Sequence, residues 1–189
     1  WGLRLSAHLA WRKHGAPEDY RYQAMRRHHG ARFGLVSLVT VFFLQGVLMW
    51  VVSLPVQLGQ VPDEPGLGAL ALLGVLVWVV GLAFEAIGDA QLAKFKAEPT
   101  SSGQVMDRGL WRYTRHPNYF GDACVWWGIA LVAAESGLGA IGLVGAVVMT
   151  VLLRRVSGVP LLERSLMKRR PGYAAYAART SAFIPRRPK

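Results

Sequence analysis

Residues 33–54 read FGLVSLVTVFFLQGVLMWVVSL and contain no charged side chain. At the 1.5 Å rise of an α-helix, such a run covers about 33 Å, enough to cross the hydrocarbon core of a bilayer. Two further uncharged runs follow, of 19 residues at 66–84 and 18 residues at 136–153. The sequence therefore predicts an all-α fold, a polytopic bundle of transmembrane helices with cytoplasmic extensions.

A weaker apolar run of 12 residues lies at 123–134. It would cover only about 18 Å, so the helix that contains it must start nearer Tyr119 to cross. That start draws Asp122 into the membrane edge, where a lone carboxylate is costly and needs a partner. We therefore expect a plain turn at 62–66 and four spans, at about 33–54, 66–87, 119–134 and 136–153.

The basic residues are segregated by these spans. Of the 22 Lys and Arg residues, seven precede the first span, five lie between the second and third, and ten follow the fourth. Four crossings put all three groups on one membrane face, which the positive-inside rule places in the cytoplasm. The chain is 52% hydrophobic yet has a net charge of +11. Such complete segregation indicates that the cations also bind something, such as an anionic ligand or lipid headgroups.

Several familiar sites are excluded by the motifs. No G-x-G-x-x-G follows a predicted strand and no G-x-x-x-x-G-K-[ST] occurs, so a Rossmann or P-loop nucleotide site is not expected. The five His residues lack zinc-site spacing, and a lone Cys124 excludes an intrachain disulfide and a multi-Cys metal site. We therefore predict no metal site. The basic loops flank membrane spans, so we also predict no nucleic-acid partner.

The densest polar signal is GLWRYTRHPNYFGD at 109–122. Pro117 can begin the third span in its first turn, and cations just before a helix N-terminus favour an anionic ligand. Asn118 can both donate to and accept from an amide, and Asp122 follows one helical turn later. An interfacial belt would explain the aromatic residues, but not an Asn and an Asp at the start of a span. Ligand binding is therefore the favoured interpretation.

Two other clusters accompany this segment. The second helix should continue to about Phe95, and Glu85, Asp89 and Lys96 then lie within about 40° on one stripe. Interhelical salt bridges explain that stripe as well as a cavity-facing site does. Near the C-terminus, a short helix is expected after Pro171. The polar residues that can line a site there are Glu163, Arg164, Tyr173, Tyr176 and Arg179. The basic run 168–170 is expected to bind lipid headgroups.

At GLWRYTRHPNYFGD the chain resembles the steroid 5-alpha-reductase and sterol-reductase superfamily, most of all its bacterial branch, long carried as a domain of unknown function. The resemblance extends from WGLRL through EDYRY and SLP to RTSAFIP, essentially the whole chain. It implies a reductase of the bacterial inner membrane that binds NADPH in a cytoplasm-facing pocket. Hydride would pass to an activated C=C bond, typically of an enone, in a lipidic or steroid-like substrate.

The resemblance also implies the cofactor-binding residues. Asn118 and Asp122 would meet the nicotinamide and ribose region, and the two C-terminal tyrosines with Arg179 would close the site. The full implied set is Arg4, Arg12, Asp89, Lys96, Arg112, Arg115, His116, Asn118, Tyr119, Asp122, Glu163, Tyr173, Tyr176 and Arg179.

Three departures from the family pattern limit these expectations. Relatives often carry a basic residue near Gln104, which leaves the choice between NADPH and NADH open. The family's catalytic Glu would lie upstream of Trp1, and its Tyr partner would fall at or near Trp1. We therefore expect 1–189 to be one domain that lacks N-terminal helices, and the proton donor is unassigned.

Two other kinds of function stay open. Isoprenylcysteine and phospholipid methyltransferases share the R-H-P-x-Y-x-G pattern and a late acid, here Glu163, and they bind S-adenosylmethionine. Asn118, the acid directly after Gly121 and the many Arg residues favour the reductase. A non-enzymatic scaffold or lipid-binding protein is the third interpretation, and the sequence leaves the oligomeric state open.

Overall fold

The computed structural model describes residues 1–61 and 67–189, and these form helices and connecting turns without a β-sheet. The predicted all-α fold is thus confirmed. The predicted turn at 62–66, and the first residue of the second predicted span, lie outside the described residues. The α-helices are α1 Gly2–Lys13, α2 Tyr20–His29, α3 Phe33–Ser37, α4 Leu44–Val52, α5 Leu54–Leu58, α6 Ala69–Ala97, α7 Pro117–Ala134, α8 Leu143–Val151, α9 Val159–Arg169 and α10 Tyr173–Arg179. The tighter 3₁₀ turns are Gly30–Arg32, Pro99–Ser101, Gly109–Arg112 and Leu138–Gly142, and wider π-helical turns occur at Leu38–Phe43 and Leu152–Val156.

The chain divides into two compact units, Trp1–Trp50 and Val51–Lys189. In the first unit, Asp19 caps α2 by accepting from the backbone N–H of Arg21 at 3.0 Å. The side chain of Arg21 donates to the same carboxylate, and these hydrogen bonds lower the pKa of Asp19 to about 2. The cap and the ion pair fix the start of α2, which continues toward the apolar helices α3 and α4.

Among the described residues, three helical runs are long and apolar enough to cross a membrane: Tyr20–Val52, Ala69–Ala97 and Leu138–Arg169. These confirm that the protein has transmembrane helices. In α6, the outward residues Leu72, Leu76 and Val79 are 64%, 61% and 50% exposed. An apolar face of that extent suits lipid rather than water.

The predicted third span coincides with α7, which is not among those three runs. Helix α7 nevertheless lies antiparallel along α6, with Gly128 opposite Gly74 and Gly121 opposite Gly81. A Cβ on Gly81 would lie only 2.6 Å from the carbonyl oxygen of Gly121, so only glycine permits this approach. The fourth crossing stays a prediction, which the pairing with a membrane-long helix supports.

The C-terminal elements pack on the other side of α7. The indole of Trp127 on α7 donates to the hydroxyl of Thr150 on α8 at 2.9 Å. One turn earlier on α7, Ala123 forms a buried cluster with Val159 and Phe183. These contacts bring α9 and the chain after α10 against the N-terminal half of α7, where the polar motif ends.

Candidate functional site

The motif segment before α7, residues 109–116, is hydrogen-bonded to the C-terminal part of α6. The backbone N–H of Leu110 donates to the side-chain oxygen of Gln91 at 3.0 Å, and the indole of Trp111 donates to the carbonyl of Gly88 at 3.1 Å. Gly109 has a φ of +58°, a conformation that glycine adopts without strain. The turn Gly109–Arg112 is therefore held against the part of α6 that carries Asp89.

The start of α7 brings two predicted cofactor-binding residues together. Pro117 is the first residue of the helix, as predicted, and it packs closely on Gly88. One residue later, the amide nitrogen of Asn118 donates to Asp89 at 3.3 Å, and its oxygen accepts from the backbone N–H of Tyr119 at 3.1 Å. Because Asp89 is only 6% exposed, this pair is a buried polar contact between α6 and α7.

Three carboxylates gather at this end of the α6–α7 pair. Glu85 is only 3% exposed, and the backbone of Gly121 packs directly against it. The next residue, Asp122, is close enough to interact electrostatically with Glu85 and Asp89. Its Oδ1 atom is buried and has no hydrogen-bond partner among the residues that the structure describes. A buried acceptor without a partner is uncommon in a native protein and favours a role in binding.

The guanidinium of Arg115 donates hydrogen bonds to other residues of the protein. Its Nε and Nη2 atoms donate to the two oxygens of Glu163 at 2.6 and 3.0 Å, and Nη1 donates to the carbonyls of Ala177 and Thr180. Burial opposes the charge, but the hydrogen bonds and charge of Glu163 outweigh it and raise the pKa of Arg115. A bidentate pair of this kind is directional and strong. Arg115 and Glu163 thus fasten α9 and the end of α10 to the motif.

His116 and Tyr119 extend the same network. His116 is 1% exposed, and its Nε2 atom lies 3.0 Å from Glu163. Its Nδ1 atom has no hydrogen-bond partner in the part of the chain that the structure describes. The ring stacks on Tyr119 with centroids 5.3 Å apart. Glu163, predicted as a cofactor ligand, therefore joins the arginine and the histidine of the motif.

The two C-terminal tyrosines, Tyr173 and Tyr176, are buried against the motif and Glu163. Both are 3% exposed, and the hydroxyl of Tyr176 donates to the carbonyl of Trp111. The hydroxyl of Tyr173 lies 3.4 Å from Glu163. Burial raises the pKa of both hydroxyls, so they stay protonated donors at neutral pH. The closure of a cofactor site by these tyrosines stays a prediction.

The residues after α10 run beside the motif segment. Thr114 and Ser181 form a parallel backbone bridge, and the hydroxyl of Thr114 donates to the carbonyl of Phe183 at 2.8 Å. Further along, the backbone N–H of Arg186 donates to the carbonyl of Tyr113 at 2.9 Å. The last ten residues are thus laid along the motif, which places their cations beside those of the motif.

A basic cleft of about 520 Å³ forms between these two segments. Arg179 donates to Asp107 across it at 2.7 Å. Its other cations have no such carboxylate partner among the described salt bridges. The lining residues are Asp107, Arg108, Gly109, Arg112, Arg179, Thr180, Pro188 and Lys189.

Sequence reasoning named two of the cleft's cations, Arg112 and Arg179, and missed Arg108 and Lys189. Arg108 directly precedes the GLW turn, and that position was a signal that could have been used. Lys189 has no local signal, because its place beside Arg179 depends on the hydrogen bond from its backbone N–H to the carbonyl of Arg179.

Three predicted residues, Lys96, Arg4 and Arg12, are not among the contacts described above. Lys96 lies on the last turn of α6 and is exposed. Arg4 and Arg12 lie on α1, in the first compact unit. Their role in binding the cofactor stays a prediction.

Comparison with known proteins gives a family and no characterised relative. The model of the family described as "Protein of unknown function (DUF1295)" matches residues 1–180, so the chain belongs to this family. No curated protein matches the chain, and no solved structure does.

Proposed function

We propose that this member of the DUF1295 family is a membrane-bound reductase that uses NADPH to reduce an activated C=C bond in a lipidic or steroid-like substrate. NADPH would supply the hydride when bound. The residues described above would bind and orient the cofactor on the cytoplasmic face, where the positive-inside rule places the basic segments. In a bacterium this would be the inner membrane.

The basic cleft is the observation that carries the proposal. NADPH bears a diphosphate and a 2′-phosphate, and Arg binds such groups through paired N–H donors. Arg108, Arg112 and Lys189 are exposed to the cleft, whereas Arg179 is shared with Asp107. A volume of about 520 Å³ lies within the range of small-molecule sites.

The hydrogen-bonded pair Asn118–Asp89 lies next to the cleft. It suits the nicotinamide and ribose half of the dinucleotide. Trp111 at the cleft side and Asn118 both contact the Gly88–Asp89 turn of α6, so the two regions share one support. Asn118 and Asp122 offer amide and carboxylate groups of the kind that hydrogen-bond a carboxamide or ribose hydroxyls. Arg115 would act by positioning, since its donors are used within the protein.

The gathered carboxylates favour a second candidate, a methyltransferase that binds S-adenosylmethionine. Its sulfonium is cationic and it has no phosphate, so the anionic environment of Glu85, Asp89 and Asp122 suits it. The basic cleft would then have no role in cofactor binding, and this is why the reductase is preferred.

Ligand-dependent thermal stability of the purified protein in detergent separates the two. A ligand that binds the folded state stabilises it by RT ln(1 + [L]/Kd), about 2.7 kcal/mol at 100 Kd. We expect NADPH to raise the melting temperature. Because Gln104 replaces a basic position of relatives, NADH is measured in parallel.

A pair of matched variants tests whether the cleft binds the phosphates. Arg108→Gln/Arg112→Gln should remove most of the NADPH-dependent stabilisation, whereas Arg164→Gln/Lys168→Gln removes the same charge from exposed sites on α9 and should leave it intact. Stabilisation by S-adenosylmethionine alone would refute the reductase and support the methyltransferase. No stabilisation by any of these ligands would favour a scaffold.

A further inference from the structure

Helix α9 begins where an apolar helical run ends. After α8 the π-helical turn Leu152–Val156 carries two exposed cations, Arg154 and Arg155. The helix is interrupted at Ser157 and Gly158, where a Cβ on Gly158 would collide with the carbonyl oxygen of Leu153. Pro160 lies in the first turn of the new helix. Helix α9 therefore follows the uncharged stretch 136–153 and forms the charged end of the run Leu138–Arg169, which is where a membrane-crossing helix meets the headgroups.

The two faces of α9 differ in charge. Its single acidic residue, Glu163, points inward to Arg115 and His116, and Val159 is buried. The exposed side chains of α9, which together we call the α9 basic face, are Leu161, Arg164, Met167, Lys168 and Arg169. Because Glu163 is turned inward, the exposed side chains of α9 include three cations and no acidic residue.

Apolar side chains are interleaved with those cations. Leu161 and Met167 are 46% and 48% exposed. At 100° per residue, Leu161, Arg164 and Lys168 lie within about 60° of one another around the helix. An exposed helix face that combines Lys and Arg with large apolar side chains is typical of helices that lie in the membrane interface.

We propose that the α9 basic face binds anionic phospholipid headgroups of the surrounding bilayer. The cations would meet the phosphates, and Leu161 and Met167 would enter the acyl boundary. This surface differs from the cleft, which contains Asp107 and is enclosed by two chain segments. An open face with apolar residues suits a bilayer rather than a soluble phosphate compound.

Lipid retention by the full chain tests this. The protein is purified in a neutral detergent, mixed with phosphatidylglycerol or phosphatidylcholine of identical acyl chains, and analysed by native mass spectrometry. We expect a preference for phosphatidylglycerol of about tenfold, since each Lys or Arg near an anionic surface contributes to binding. Arg164→Gln/Lys168→Gln/Arg169→Gln should abolish that preference.

A charge-matched control separates a site from net charge. Arg27→Gln/Lys94→Gln/Arg187→Gln removes three exposed but dispersed cations and should keep the preference. Equal loss in both triple variants, full retention in the α9 variant, or displacement of the lipid by millimolar inorganic phosphate would each overturn the proposal. Unchanged melting temperatures of both variants without lipid show that folding is intact.

Discussion

The two ends of the α6–α7 pair share a backbone geometry and differ in chemistry. At one end, a Cβ on Gly74 would lie 2.7 Å from the carbonyl oxygen of Gly128, and Val132 packs beside it. At the other end, a Cβ on Gly81 would lie 2.6 Å from the carbonyl oxygen of Gly121, and Gly121 in turn packs against Glu85. Glycines seven residues apart thus set the same helix separation at an apolar end and at a polar end.

The two ends pack alike, so the candidate site at the polar end depends on the chain segments that meet there and not on the helix separation. The polar end receives the motif segment and the C-terminal residues, which supply Trp111, Asn118 and the basic cleft. At the apolar end, one carboxylate, Glu135, accepts from the backbone N–H of Ala71 at 2.8 Å and caps the start of α6. A carboxylate therefore has a structural role at the apolar end, whereas at the polar end the buried Oδ1 atom of Asp122 has no hydrogen-bond partner among the described residues.

The largest expected effect breaks the shared geometry. In Gly81→Ala, the new methyl group would meet the backbone of Gly121 and Val125, which cannot move like a side chain. We expect a loss of about 3 kcal/mol in the free energy of unfolding, measured by denaturant titration in mixed micelles. Gly46→Ala is the control, because nothing lies within 4 Å of its Cβ position, and it should not destabilise. A clearly smaller loss for Gly74→Ala would show that the two ends are not packed alike.

The next effect concerns the polar end. Asn118→Ala removes the hydrogen bond to Asp89 and the acceptor for the N–H of Tyr119. We expect NADPH to bind about tenfold more weakly, equivalent to about 1.4 kcal/mol, measured as ligand-dependent melting temperature over a titration. Arg187→Ala serves as the comparison and should have little effect. Equal weakening in both would mean that the motif only anchors a helix.

The apolar end has a smaller, purely structural prediction. Glu135→Ala removes the cap of α6 and should cost about 1 kcal/mol of stability, while Glu135→Gln, which keeps an acceptor oxygen, should cost less. NADPH-dependent stabilisation should be the same in both variants and in the wild type. A weaker response to NADPH in Glu135→Ala would contradict the assignment of the two ends.

The smallest effect tests the gathered carboxylates. Asp122→Asn removes one of three neighbouring negative charges and adds an N–H donor, so the unliganded protein should gain about 0.5 kcal/mol. Asp107→Asn is the control. It weakens the ion pair with Arg179 and should give no gain. Destabilisation of Asp122→Asn would show that the charge of Asp122 already has a stabilising partner.

Local sequence signals located much of the fold. The second predicted span and its extension to about Phe95 correspond to α6, which ends at Ala97, because uncharged runs and a following Pro mark helix limits by themselves. Pro117 begins α7, and the short terminal helix after Pro171 is α10, from Tyr173 to Arg179. The third span was harder to predict from the sequence, because α7 is less apolar than the other spans. Its pairing with the long helix α6 is visible only in the structure.

The candidate site was predictable in its residue types and less so in their roles. Asn118 and Asp89 were predicted and are in contact. Arg115 was predicted to face the cofactor, and yet its donors are taken by Glu163, 48 residues away.

The sequence by itself determined a helical membrane protein with a polar motif at the start of one helix. Apolar run length and charge segregation act locally, and they need no knowledge of neighbours. Only the tertiary structure decided that Glu163 pairs inward and that Lys189 lies beside Arg179 in the cleft. The physical reason is that a hydrogen bond or ion pair depends on distances of a few ångström, and chain segments far apart in sequence reach those distances only after the helices have packed.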